Sequence, residues 1–266
     1  MYTGIRRGLA LLVLMFASVS ASALELKPTR VADDVYALVG PTGPRTYENY
    51  GLNTNLGFVV TGDGVVLIDS GATAQTGPLI AEAVASITDQ PIRWVINTGG
   101  QDHRWLGNGW FREHGAEIIA LERTVRTQRE FAEQHMSGLA RVLKERLDGT
   151  EPVYAERILS GDSAGLNLGG TEVELRWFGD AHFPGDAVVW LPEQRIAFTG
   201  DLVYVDRMLG ILPWSDVVSW REAFHAFAGL EPESVVPGHG AVSDMAKVRR
   251  ETGDYLDWLV SEVRAA

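Results

Sequence analysis

Histidine and aspartate recur at turns in the second half of this chain, in Gly179-Asp180-Ala181-His182, Thr199-Gly200-Asp201 and Val236-Pro237-Gly238-His239-Gly240. An upstream segment, Asn97-Thr98-Gly99-Gly100-Gln101-Asp102-His103-Arg104-Trp105-Leu106-Gly107-Asn108, adds a third imidazole. Imidazole nitrogen and carboxylate oxygen are the donors that hold a divalent ion such as zinc. Three of them with one open position suit the activation of water against a carbonyl-type centre. The chain has no cysteine, which excludes thiolate ligands, disulfides and a thiol nucleophile.

Such residues need strands and helices to aim them. Residues 57–61, the turn Gly62-Asp63-Gly64 and residues 65–69 read as a hairpin ending on a carboxylate, Asp69. Residues 187–191, the turn 192–195 and residues 196–201 repeat the plan and end on Asp201. Further strands are predicted at 93–97, 117–120 and 234–236. Helices are predicted from Pro78 through Ile87, from Trp105 to His114, from Glu122 to Leu147 with a break near Gly138, over 216–228, and over 244–263 with Tyr255, Trp258, Leu259 and Val263 inward. Strands and helices in both halves point to an α/β chain with two sheets between helix layers. No linker or composition break calls for a second domain.

Arg6 and Arg7, a short apolar run over 9–19 and Ala21-Ser22-Ala23 together read as an export signal over residues 1–23. The apolar run falls short of the roughly 20 residues that a membrane anchor requires. The expectation is a single domain over 24–266, periplasmic or secreted, with no stable membrane association after cleavage. The formal charge is −12, from 23 basic and 35 acidic residues. Such a balance repels polyanions and argues for a small-molecule partner and against nucleic acid.

Leu67-Ile68-Asp69-Ser70-Gly71, the segment from Asn97-Thr98 to Gly107-Asn108, and the three His/Asp turns resemble the metallo-β-lactamase-fold superfamily in order and interval, over essentially all of residues 24–266. The Leu-Gly-Asn ending and the Pro-Gly-His-Gly turn are most similar to an exported, metallo-hydrolase-like branch. The resemblance implies a four-layer αββα sandwich. It also implies a His-x-His-x-Asp-His motif after Asn97-Thr98, and this chain departs from that pattern. The ungapped match sets Gly99 and Gln101 in the places of the first metal's two histidines, and His103 and Arg104 in those of the second metal's Asp and His. Glycine has no donor and a neutral amide is a poor zinc ligand. A one-residue shift, with Asp102-His103 as the Asp-His pair, is the variant reading.

The resemblance therefore implies one divalent ion, expected to be zinc, among His103, His182, Asp201 and His239. Asp69, Gln101 and Arg104 would stand behind these ligands. Asp102 is the candidate proton acceptor. Tyr47, Tyr50, Arg207 and Trp214 are candidate substrate contacts, from segments that read as flanking loops. The implied activity is hydrolysis of an ester, thioester, lactone or amide-type small molecule by activated water. The alternative is a catalytically silent binding protein in which Arg104 pairs with Asp201 and replaces the metal's charge. His103 could also lie in a solvated turn, and His182, Asp201 and His239 in a relic polar cluster. His114, His135 and His225 read as structural or exposed.

Overall fold

The structure is a computed structural model that describes residues 24–265. The export signal expected at 1–23 lies outside the described residues. Among the described residues no helix is long and apolar enough to cross a membrane.

Seven strands form one sheet in chain order: β1 (Pro28–Ala32), β2 (Val35–Leu38), β3 (Leu56–Val60), β4 (Val65–Ile68), β5 (Ile92–Ile96), β6 (Glu117–Leu121) and β7 (Arg157–Leu159). Pairing is antiparallel up to β4 and parallel from β4 to β7. The second sheet comprises β8 (Ser163–Leu168), β9 (Thr171–Arg176), β10 (Val188–Leu191), β11 (Ile196–Phe198) and β12 (Ser234–Val236) in the order β12-β11-β10-β9-β8. Only its β11–β12 pair is parallel.

Alternation along the strands decides what each face meets. Val66 and Ile68 of β4 point into the core between the sheets, with Ile96, Ile119, Val189 and Phe198. Val65 and Leu67 of the same strand point outward, beneath Ile80 and Val84 of helix α1 (Thr76–Ala85). Both faces are covered, so all four β4 residues are buried. On the second sheet, Val188, Trp190 and Ala197 lie under Trp220, Phe224 and Phe227 of a helix at Val217–Ala228 and Leu256 of one at Asp254–Ala265. Each such side chain contributes about 1.5–3 kcal/mol on full burial. The result is the αββα sandwich that the sequence implied.

Several elements differ from their sequence prediction. The helix expected over 105–114 is two short ones, α2 (Asp102–Trp105) and α3 (Asn108–Glu113). Gly107 breaks the run because its N–H bonds Gly71 O, and a Cβ there would lie 2.0 Å from Ser70 O. Helix α4 (Glu122–Leu143) continues through Gly138, which is solvent-exposed. A glycine in a helix costs only about 1 kcal/mol, less than the buried face supplies. The chain instead turns at Lys144, whose φ is +52°. After helix α5 (Val217–Ala228), the last expected helix is divided into α6 (Met245–Val248), a π-helical turn (Arg249–Gly253) and α7 (Asp254–Ala265). The turn lets Thr252 exchange hydrogen bonds with the Tyr204 backbone, at 3.1 and 2.5 Å. It also rotates α7, so Leu256 and Val260 face inward while Trp258 and Val263 are exposed. Strands β1, β2 and β7 to β9 had no sequence prediction.

Candidate metal centre

Four strand ends meet at one edge of the sandwich. β4 ends before Asp69, β5 before Asn97-Thr98, β11 before Thr199-Gly200-Asp201, and β12 before Pro237-Gly238-His239. Asp69 has φ +62°, a conformation Asp tolerates, and its carboxylate accepts from the N–H and hydroxyl of Thr98, both at 2.7 Å. Asn55 bridges the halves by donating to Pro237 O (2.9 Å) and Gly240 O (2.7 Å). Gly238 must be glycine: a Cβ would lie 2.6 Å from an Arg104 nitrogen and 2.7 Å from Asp201 Oδ1.

The carboxylate of Asp201 is the centre of the site. Nε2 of His103 lies 3.2 Å from its Oδ2, and Nε2 of His239 lies 3.1 Å from its Oδ1. Arg104 grips it from behind through Nη2 (2.6 Å) and Nε (3.3 Å), while its Nη1 donates to Asp69 and to Asn55 O, both at 3.0 Å. Burial would push the Asp201 carboxyl up, but the Arg104 guanidinium and His103 hold it well below the usual carboxylate range. Asp69 is the reverse case: burial outweighs Arg104 and lifts its carboxyl to about 6.

The tautomers follow from the partners. His239 Nδ1 lies 2.8 Å from Asn53 O, which can only accept, so Nδ1 carries the proton and Nε2 a lone pair. The 3.3 Å approach of Arg207 Nη1 to the same Nδ1 is then donor against donor and is no hydrogen bond. His182 is set likewise by Gly210 O, 2.5 Å from its Nδ1. Its Nε2 lone pair fixes the Gln101 amide, whose nitrogen donates to His182 Nε2 (2.8 Å) and Asp201 Oδ2 (3.0 Å) and whose oxygen accepts from Arg45 (2.8 Å). Burial keeps both rings neutral, pulling His182 down to about 4 and His103 to about 3.

This donor set suits a metal ion. The ligand atoms of His103, Asp201 and His239 lie within 4.8 Å of one another. The closest separations, 3.2 Å from His103 and 3.1 Å from His239, run to the two different oxygens of Asp201. His182 is apart from the trio, its lone pair taken by Gln101. Beside it, a Cβ on Gly99 would lie 2.8 Å from Asp186 Oδ1, a buried oxygen with no hydrogen-bond partner. The room for a first-site histidine is filled, and among the described residues His103, Asp201 and His239 form the one His/Asp group close enough to share an ion.

The remaining candidates divide. Arg207 lines the cleft of about 180 Å³ with Arg45, Asn53, Gln101, Tyr204 and Leu212, beside the three histidines. Tyr47 and Tyr50 stand elsewhere: Arg146 stacks on both rings, and Tyr47 donates to Glu145. Trp214 packs on Phe131 and Phe183. Asp102 lies behind His103, 2.5 Å from Arg45. His114 and His225 are exposed, and His135 is buried beside Phe131 and Phe183. Sequence reasoning missed Arg45, Asn53, Asn55 and Asp186. The polar run Asn53-Thr54-Asn55 just before an apolar strand was a usable signal for two of them. Nothing local marked Arg45 or Asp186.

A profile of the metallo-beta-lactamase superfamily matches residues 49–239. The chain is 25% identical over 185 residues to the 2,4-dinitroanisole O-demethylase subunit alpha of Nocardioides sp. (strain JS1661), covering 68% of this chain and 51% of that subunit, so it spans about half of that relative's length. It is 23% identical over 221 residues to the metallo-beta-lactamase type 2 of Bacteroides fragilis, covering 81% of this chain and 80% of the relative. The crystal structure of the metallo-beta-lactamase FIM-1 from Pseudomonas aeruginosa, in its mono-zinc form, superposes with a TM-score of 0.70 at 23% identity, covering 89% of this chain and 96% of that one. The chain belongs to the metallo-beta-lactamase superfamily, whose members are mostly metal-dependent hydrolases.

Proposed function

We propose that this protein is an exported hydrolase that works with a single divalent ion, zinc by its donor set, on an ester, thioester, lactone or amide-type small molecule. The observation that carries the reading is the pair His239 Nε2 and Asp201 Oδ1, 3.1 Å apart. With Nδ1 committed to Asn53, these are two acceptors face to face, and a cation shared between them would relieve the repulsion that the Arg104 contact on Asp201 leaves. Burial opposes a proton there, since it pulls the His239 imidazolium down. A divalent ion meets the need.

An ion in that position supplies a lowered pKa for water and polarises an electrophile. The chain's own residues do the rest. Asn53 fixes the His239 ring through its carbonyl, and Arg104 holds the Asp201 carboxylate ionised and immobile. Arg207, at the cleft mouth, offers a guanidinium to an anionic group of the substrate. Tyr204, whose phenol burial keeps protonated, closes the wall beside His182 and His239.

A second reading, the silent binding protein, is favoured by the 2.6 Å Arg104–Asp201 contact, which already supplies positive charge. Elemental analysis separates the two. The hydrolase reading expects close to one equivalent of zinc or a similar ion, lost in His239→Ala and kept in His114→Ala. Two equivalents would refute the single-ion site. None after reconstitution would leave the silent protein.

A further inference from the structure

Resting on the single-ion reading, we propose that Arg45 and Asp102 are positioning residues that set the affinity of the metal site, Arg45 as a latch against loading and Asp102 as the carboxylate that replaces it on the His103 ring. Arg45 belongs to the segment between β2 and β3. Its two Nη2 hydrogens are shared among Asp102 Oδ1 at 2.5 Å, His103 Nδ1 at 2.9 Å and the Gln101 amide oxygen at 2.8 Å. A guanidinium has only donors. His103 Nδ1 is therefore the acceptor, and the ring's proton sits on Nε2, donated to Asp201 Oδ2 at 3.2 Å.

That tautomer cannot ligate through Nε2. To expose the Nε2 lone pair the ring must carry its proton on Nδ1, which then points at an arginine edge that also only donates. Loading the ion thus requires Arg45 to withdraw. Asp102 Oδ1, 3.7 Å from Nδ1, is the acceptor left in place, and carboxylate behind imidazole behind metal is the arrangement that orients a ligand ring. The ring keeps one proton throughout; only its position changes.

Arg45 is built to move. Its side chain is 26% exposed at the cleft, and its Nε has no hydrogen-bond partner. The surrounding backbone is braced independently, by Asn53 donating to Gly43 O and Arg146 donating to Tyr47 O. Withdrawal is a side-chain motion that leaves the segment in place. His239 needs no such change, because Asn53 already holds it in the ligating tautomer. The latch acts on one ligand of the three.

The test uses the chain from residue 24 onward, stripped of metal, with zinc affinity measured by competition against a chromophoric chelator. Arg45→Ala and Arg45→Gln should each bind zinc about tenfold or more tightly than wild type, Asp102→Asn should bind more weakly by a similar factor, and Arg45→Lys should return toward wild type. Nitrogen-15 spectra of the histidine rings in metal-free wild-type protein should show His103 protonated on Nε2, moving to Nδ1 on zinc addition; this measurement needs no variant to fold. Unchanged or weaker zinc binding in Arg45→Ala and Arg45→Gln, or Nδ1 protonation before zinc is added, overturns the latch while leaving the single-ion site standing. If wild type and every variant bind no zinc, the single-ion reading itself fails and the latch fails with it.

Discussion

The two flanks of the cleft solve the same electrostatic problem differently. On one, His103 and His239 face the Asp201 carboxylate, with imidazole nitrogens 3.2 and 3.1 Å from its oxygens. On the other, Gly99 has no side chain, Asp186 crowds it, and the Gln101 amide occupies the lone pair of His182. The first flank keeps donors that suit a cation. The second is closed by the Gln101–His182 hydrogen bond and by Asp186, whose Oδ1 fills the space at Gly99 without a hydrogen-bond partner. A motif without those two histidines therefore leaves a tightly packed half-site, in which Gln101 satisfies the His182 lone pair while Asp186 fills the space beside Gly99.

The comparison breaks most severely at Arg104, which ties Asp201 to Asp69 on the open flank. Arg104→Met should cost about 3–5 kcal/mol in chemical denaturation, since it leaves two buried carboxylates without their cation. A loss below about 1 kcal/mol would mean that Asp201 is compensated chiefly by the histidines.

On the closed flank, acid is the sharper probe. The folded-state pKa of His182 is depressed to about 4 by burial, against 6.5 for the unfolded chain. Its contribution to stability is present above pH 6.5 and is lost as pH falls through about 4, by up to roughly 3 kcal/mol. In metal-free protein, His182→Asn should flatten that part of the stability profile. An unaltered slope between pH 6.5 and 4 would show that His182 is not the group responsible.

Gly99→Ala tests the packing of the same flank. The added methyl would sit 2.8 Å from Asp186 Oδ1, so a loss of about 1–3 kcal/mol is expected, less in an Asp186→Ala background. Equal losses in the two backgrounds would disprove the steric coupling. The smallest effect belongs outside both flanks. Tyr47→Phe removes only an exposed hydrogen bond to Glu145 and should leave melting temperature and zinc stoichiometry unchanged. A loss of zinc in that variant would place the Tyr47 segment nearer the ion than its stacking on Arg146 does.

Much of this arrangement is legible in the sequence. The two hairpins that end on Asp69 and Asp201, the buried face of α1 and the extent of α5 rest on local periodicity and turn chemistry, which act over a few residues, whereas the grouping of His103, Asp201 and His239 comes from the family resemblance. The weakly alternating edge strands β8 and β9 were not legible, since their identity depends on the neighbours they pair with. Gly138 misled because helix propensity is a small term beside a buried face, and Gly107 because its interruption comes from Ser70 and Gly71 across the fold.

The sequence by itself determined the donor types available to the site: imidazole and carboxylate, no thiolate, and no imidazole at 99 or 101. It also determined that Arg104 would stand where the resemblance places the second metal's histidine. Tertiary structure alone decided which lone pairs remain open. Arg45 meets His103 from 58 positions away and Asn53 meets His239 from 186. A ring's tautomer is set by the partner opposite its other nitrogen, and that partner is chosen by how the two sheets pack, which no local pattern of residues encodes.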